Sequence, residues 1–133
     1  MKAILYADGA ARGNPGPAGA GAVLLDDNGG VIVELTKPLG TATNNVAEYN
    51  ALLLGLEEAK RRGVDDLEVR MDSQLVVQQM RGLYRIRHPN MVPLALRAGA
   101  LFASFPRRSI THVRREENAH ADRLSNLAID QAT

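Results

Sequence analysis

Residues 4–25 read ILYADGAARGNPGPAGAGAVLL. An apolar run ends on one acid, Asp8, and a Gly- and Pro-rich stretch separates it from the next apolar run. What that stretch joins decides the fold. The phosphate-loop pattern GxxxxGK[ST] is absent, and the dinucleotide fingerprint does not fit, because a strand rather than a helix comes next. The stretch therefore links two strands, read over 2–7 and 19–25. A third follows over 31–35, after DDNGG at 26–30, a hairpin signal. Three consecutive strands with short connections make an antiparallel meander.

Beyond residue 44 the period changes. From 45 to 62 the apolar residues Ala51, Leu52, Leu56 and Ala59 recur at helical spacing, and Gly63 stops the run as a C-terminal cap. DLEVRMD at 66–72 reads as a fourth strand, and Ser73 caps a short helix reaching about Met80. GLYRIRHPNM at 82–91 is a loop. A third helix runs from 92 to about 104, closed by Pro106. SITHV at 109–113 is a fifth strand, and a last helix runs from 118 to the end. The later strands alternate with helices, which favours parallel neighbours. The expected fold class is α/β: a mixed five-stranded sheet flanked by helices.

At 133 residues the chain is read as one domain, 1–133, able to bury roughly two-thirds of its extended surface. It has no Cys, which excludes disulfides and thiolate metal sites. A metal here must bind carboxylates, His or backbone oxygens, and such sites suit Mg²⁺, Mn²⁺ or Ca²⁺. No apolar stretch approaches the roughly 20 residues of a membrane span, and the first residues are too short for a signal peptide. The expectation is a cytoplasmic protein with no membrane partner. The net charge of +1 hides an asymmetry. No carboxylate lies between Asp72 and Glu116, while Arg81, Arg85, Arg87, Arg97, Arg107, Arg108, Arg114 and Arg115 all fall there. That points to a polyanion-facing region.

Two predicted strands end on aspartate, Asp8 and Asp72. In open α/β sheets, ligand crevices lie at the carboxyl ends of parallel strands. If these strands are parallel neighbours, the two carboxylates meet there. A lone strand-end Asp is more often a turn or cap residue, so each needs the other. Glu48 is less ordinary. Residues four and eight further along its helix are Leu52 and Leu56, so it points along the buried stripe, where a charge is costly unless paired or cation-bound. Asp122 lies in the first turn of the last helix, where acids are common. Converging carboxylates repel, and such a cluster is stable mainly when divalent cations neutralise it. Two such ions about 3.5–4 Å apart can clamp the attacking and leaving oxygens of a phosphodiester.

The glycines beside Asp8 have two readings. They make a flexible connection, or they let a polymer's backbone approach, with main-chain amides and Asn14 bonding its sugar or phosphate oxygens. TATNNVAEYN at 41–50 puts Thr43, Asn44 and Asn45 at the start of the helix carrying Glu48. One of them is needed as its cap, and the others can meet phosphates or base edges. Ser73 and Gln74 repeat the pattern after Asp72.

Together YADGAARGNPGPAGAGAV, TNNVAEYNALLLGLEEA, MDSQLVVQQM and ENAHADRLSNLA closely resemble ribonuclease H of type 1, in order over essentially the whole chain. The resemblance implies the ribonuclease H-like fold and endonucleolytic cleavage of the RNA strand of RNA–DNA hybrids. It implies two Mg²⁺ ions, with Mn²⁺ as a substitute, and 3′-hydroxyl and 5′-phosphate products. The family's four metal-binding, catalytic acids fall on Asp8, Glu48, Asp72 and Asp122. Its RNA contacts fall on Gly9, Asn14, Asn44, Ser73 and Gln74, and its DNA-strand contacts on Thr43 and Asn45.

Three features depart from that pattern. The loop before the last acid, VRREENAHAD, lacks the Gly-His pattern of many members. His120, two residues from Asp122, should project elsewhere, leaving Arg114 or Arg115 to stand in. RGLYRIRHPNM is short and without Trp or Lys, as in a compact branch, with Tyr84, Arg85 and Arg87 as candidate DNA-strand contacts. No hybrid-binding module or polymerase portion accompanies the motifs, so the expectation is a free-standing, monomeric catalytic domain with no obligate protein partner. The alternatives are a hybrid-binding module without catalysis and a DNA-cutting nuclease of the same general fold.

Overall fold

A computed structural model describes residues 1–132. Strands β1 (Lys2–Ala11), β2 (Gly16–Asp26) and β3 (Val31–Ala42) form an antiparallel meander. Helix α1 (Asn44–Arg61) leads to β4 (Asp66–Met71), α2 (Gln74–Met80), α3 (Val92–Ala103), β5 (Arg107–His112), a 3-10 turn (Arg115–Asn118) and α4 (Ala119–Gln131). The sheet order is β3-β2-β1-β4-β5, with β4 parallel to both β1 and β5. The mixed five-stranded sheet and its helices are those expected. Among the described residues no helix is long and apolar enough to cross a membrane.

The meander strands are longer than expected. β1 runs on to Ala11 and β2 begins at Gly16, so most of the Gly-rich stretch is paired strand: Asp8 faces Gly21, Gly9 faces Ala20 and Ala11 faces Ala18. β3 continues past Leu35 to Ala42. Gly9, Gly19 and Gly21 are required by close approach within the protein, because its own helices occupy the space where their side chains would go. A Cβ on Gly9 would lie 2.1 Å from the carbonyl carbon of Ala47 in α1. One on Gly19 would lie 2.5 Å from the Ser125 carbonyl oxygen, and one on Gly21 2.4 Å from the Ser125 nitrogen, both in α4. Side chains alternate along strands. Since Gly9 and Gly21 meet different helices, α1 and α4 lie on opposite faces of the sheet.

That close seating makes a prediction. In Gly21→Ala the new methyl meets backbone rather than a side chain that could swing aside, so α4 must move. Melting of the variant should show a loss of about 2–3 kcal/mol, roughly 10 °C. An unchanged melting temperature would contradict the contact.

The core lies between the sheet and its helices. Leu5, Leu24, Leu52, Leu56, Leu67, Val69, Met71 and Phe105 are fully buried. Helix α1 is capped by Thr43, whose hydroxyl accepts from the Val46 amide, and Gly63 follows it with φ 78°. The positive φ is the left-handed conformation that a helix C-terminus asks of glycine.

Candidate active site

The β1–β4 ladder stops at Tyr6 and Arg70, while β1 continues beside β2 alone. A crevice opens where the parallel partner ends. Asp8 projects there from within β1, not from its last residue as expected, and Asp72 follows the end of β4 directly. Glu48 comes from the first turns of α1 and accepts a hydrogen bond from the Gly9 amide at 2.5 Å. Close seating of α1 on Gly9 is what brings this carboxylate to the strand. Asp8, Glu48 and Asp72 each offer a carboxylate oxygen, and these oxygens all lie within 4.8 Å of one another. Asp122, from the first turn of α4, is outside that tight set but lines the same cleft.

The electrostatics follow. Asp8 is only 5% exposed. Burial raises its pKa above the ordinary carboxylate value, and the charges of Glu48 and Asp72 and a side-chain contact with Asp122 raise it further. Glu48 is raised too, chiefly by burial, although the Gly9 amide works the other way. Carboxylates that cannot comfortably ionise together form a good hard-cation site, because a divalent ion removes the repulsion that the protein leaves in place.

The cleft has a volume of about 380 Å³ and is also lined by Gly9, Arg12, Asn44, Arg115 and Asn126. Asn44 and Asn14 tie its rim together. The Asn44 side-chain oxygen accepts from the Ala11 amide at 3.1 Å, and the Asn14 side-chain oxygen accepts from the Asn44 amide at 3.0 Å. Thr43 and Ser73 are the caps of α1 and α2. Asn45 and Gln74 are exposed at the starts of those helices. Thr43 also lines a separate hollow with Thr41, Pro89 and Asn90. Of the expected substrate residues, Gly9 and Asn44 line the cleft itself.

His120 reaches Glu34 on β3, with Nε2 2.5 Å from Oε2. Of the two arginines considered in its place, Arg114 pairs with Glu117 and Arg115 lines the cleft. One residue was not anticipated. Asn118 is 1% exposed, and its Nδ2 donates to the Ala7 carbonyl at 3.0 Å and to Asp72 Oδ1 at 2.8 Å. An Asn ahead of a helix reads as a cap, yet this side chain makes no cap bond. Its spacing, four residues before Asp122 and so on the same helical face, was the available signal.

Comparison with known proteins agrees with this fold. The reverse transcriptase-like family matches residues 6–128. Ribonuclease HI of Halobacterium salinarum is 48% identical over 127 residues, covering 96% of this chain and 64% of the relative. The crystal structure of RNase H1 from that archaeon superposes with a TM-score of 0.95 at 46% identity, covering 98% of this chain and 99% of that one. The chain belongs to the ribonuclease H family. Another relative is the bifunctional protein Rv2228c of Mycobacterium tuberculosis, 47% identical over 133 residues. This ribonuclease H chain is covered to 99% by that match and spans only 36% of Rv2228c. LC11-RNase H1, solved in complex with an RNA/DNA hybrid, superposes with a TM-score of 0.92 at 44% identity, covering 98% of both chains.

Proposed function

We propose that this chain is a metal-dependent endoribonuclease that hydrolyses the RNA strand of RNA–DNA hybrids, leaving 3′-hydroxyl and 5′-phosphate ends, and that residues 1–133 act as one catalytic domain and as a monomer. The observation that carries the reading is the set of three carboxylate oxygens within 4.8 Å at the end of the β1–β4 ladder. Binding alone gives no reason to cluster acids against a polyanion.

The donor set fits hard cations, all oxygen and partly buried, with Mg²⁺ the natural occupant and Mn²⁺ a substitute. Asp8, Glu48 and Asp72 would hold them, with Asp122 completing the site from the rim. When bound, two such ions supply the charge that makes water a nucleophile at neutral pH and that stabilises the departing 3′ oxygen. The protein's own part is positioning. The Gly9 amide orients Glu48, and Asn118 holds one oxygen of Asp72. Arg115, on the cleft wall, would meet phosphate oxygens of the cut strand, while Arg12 on the same wall is paired with Asp130 at 2.7 Å. RNA is marked by its 2′-hydroxyl, which both donates and accepts. In this reading Asn14, Asn44, Ser73 and Gln74 offer polar side chains and Gly9 its carbonyl to the RNA strand, and Thr43 and Asn45 contact the DNA strand.

The test uses one labelled RNA strand, presented alone, paired with DNA and paired with RNA, each with Mg²⁺, Mn²⁺ or a chelator. The expected result is cleavage of the hybrid's RNA only, and only with metal. Hybrid binding without turnover would make the chain a binding module. Cleavage of an all-DNA duplex would make it a DNA nuclease of this fold.

A further inference from the structure

Next to Glu48 on α1 stands Tyr49, one of the largest fully buried side chains of the protein. Its hydroxyl donates to Oε1 of Gln79 on α2 at 2.6 Å. Gln79 is itself 7% exposed. The other end of its amide, Nε2, donates to the backbone carbonyl of Arg85 at 3.3 Å. Both ends of the amide are thus committed, one to each side, which fixes its orientation. The chain entering Arg85 hangs on the same short helix, since the Leu83 and Tyr84 amides donate to the Gln78 carbonyl at 2.8 and 3.2 Å.

What this holds is an exposed segment. Leu83 is 68% and Tyr84 46% exposed, and Arg85 and Arg87 are exposed beside them. Among the described residues neither arginine is in an ion pair. An aromatic face with unpaired guanidinium groups beside it is the chemistry that grips a nucleic-acid strand. The segment has no secondary structure of its own, so its shape depends on these tethers and on Ile86, half-buried against the core.

We infer that Tyr49 and Gln79 are positioning residues, a buried relay through which α1, the helix carrying Glu48, sets the geometry of the cationic segment 83–87 and so its hold on the nucleic-acid duplex. The inference rests on the hybrid-cleaving reading above. A hydroxyl buried with no catalytic contact would otherwise serve only to satisfy Gln79. The relay instead makes the grip outside the cleft depend on the helix that builds the cleft.

The test compares Tyr49→Phe, Gln79→Leu and the double variant in hybrid cleavage. Leu24→Val, a β2 core substitution outside the relay, controls for lost stability. Tyr49→Phe is expected to raise KM about 5–10-fold with kcat within about 2-fold, the pattern of lost binding rather than lost chemistry. The double variant should be no worse than Gln79→Leu, as for two members of one chain of contacts. Leu24→Val should lower the melting temperature and leave KM alone. A fall in melting temperature with KM unchanged would overturn the relay, and so would a fall in kcat alone, which would mean that Tyr49 acts through Glu48. If the unmodified protein cleaves no hybrid, the catalytic reading fails separately. The same variants are then read by the affinity of a fluorescent RNA–DNA hybrid in Ca²⁺. Weaker binding sustains the relay, and unchanged binding, or no binding by the unmodified protein, overturns it.

Discussion

Asp72→Asn should reduce hybrid cleavage by about a thousandfold or more, while Asp122→Asn should lose roughly 10–100-fold. The two acids differ in where they stand. Asp72 belongs to the set whose oxygens lie within 4.8 Å of one another, and one of its oxygens is already held by Asn118. Exchanging its free oxygen for an amide removes a charge and a ligand from the centre of the site at once. The lost charge stabilisation there is of the order seen when an electrostatic element of a site is removed, about 3–4 kcal/mol or more. Asp122 stands outside the tight set, where it acts at the rim, and its loss should resemble that of an outer-shell partner. Both Asn variants keep side-chain volume and should stay folded, which far-ultraviolet circular dichroism checks. Equal losses for both would place Asp122 in the inner set. Full activity of Asp72→Asn would remove the metal assignment altogether.

The different standing of these acids also shows how far local pattern reaches. Glu48 was legible because its face is fixed by Leu52 and Leu56 on the same helix, and both are fully buried. Asp8 and Asp72 were legible as a pair because two apolar strand runs led to them and the strands are parallel neighbours. Strand lengths were not legible. Glycine in a strand weakens it and reads as a break, and what overrides that preference here is distant in sequence: α4 against Gly19 and Gly21, α1 against Gly9. The same reason hid Asn118. Its role is a contact with a residue 46 positions away, and its spacing from Asp122 points to a shared face but not to that partner. Thr43, by contrast, was one of three equal candidates for the α1 cap, and geometry selects it. That leaves the Asn44 side chain free to tie the rim of the cleft.

Without metal, Asp8→Asn should make the protein more stable at pH 8 and leave it little changed at pH 4. Asp8 and Glu48 both hold their protons more tightly in the folded protein than in the unfolded chain. Above the ordinary carboxylate values, 3.8 and 4.5, the folded form therefore binds more protons than the unfolded one. Stability falls as pH rises through that window, up to the raised folded values. Below it both states are protonated and the penalty is gone. Removing Asp8 removes a buried acid that must hold its proton when folded and gives it up when unfolded, and with it the largest part of that penalty. The gain at pH 8 should be on the order of 2 kcal/mol, about 5–10 °C in melting temperature. Mg²⁺ acts on the same repulsion from the other side. Because it binds the ionised acids, it should raise the melting temperature of the unmodified protein more at pH 8 than at pH 5. Asp8→Asn should lose most of that response, since the charge the ion would neutralise is already absent. Thermal melts at pH 4, 5 and 8, with and without Mg²⁺, for both proteins give all of these comparisons in one series. A variant less stable than the parent at pH 8 would mean that Asp8 holds the cleft together by a contact its charge does not oppose. A Mg²⁺ shift independent of pH would put the ion somewhere other than these carboxylates.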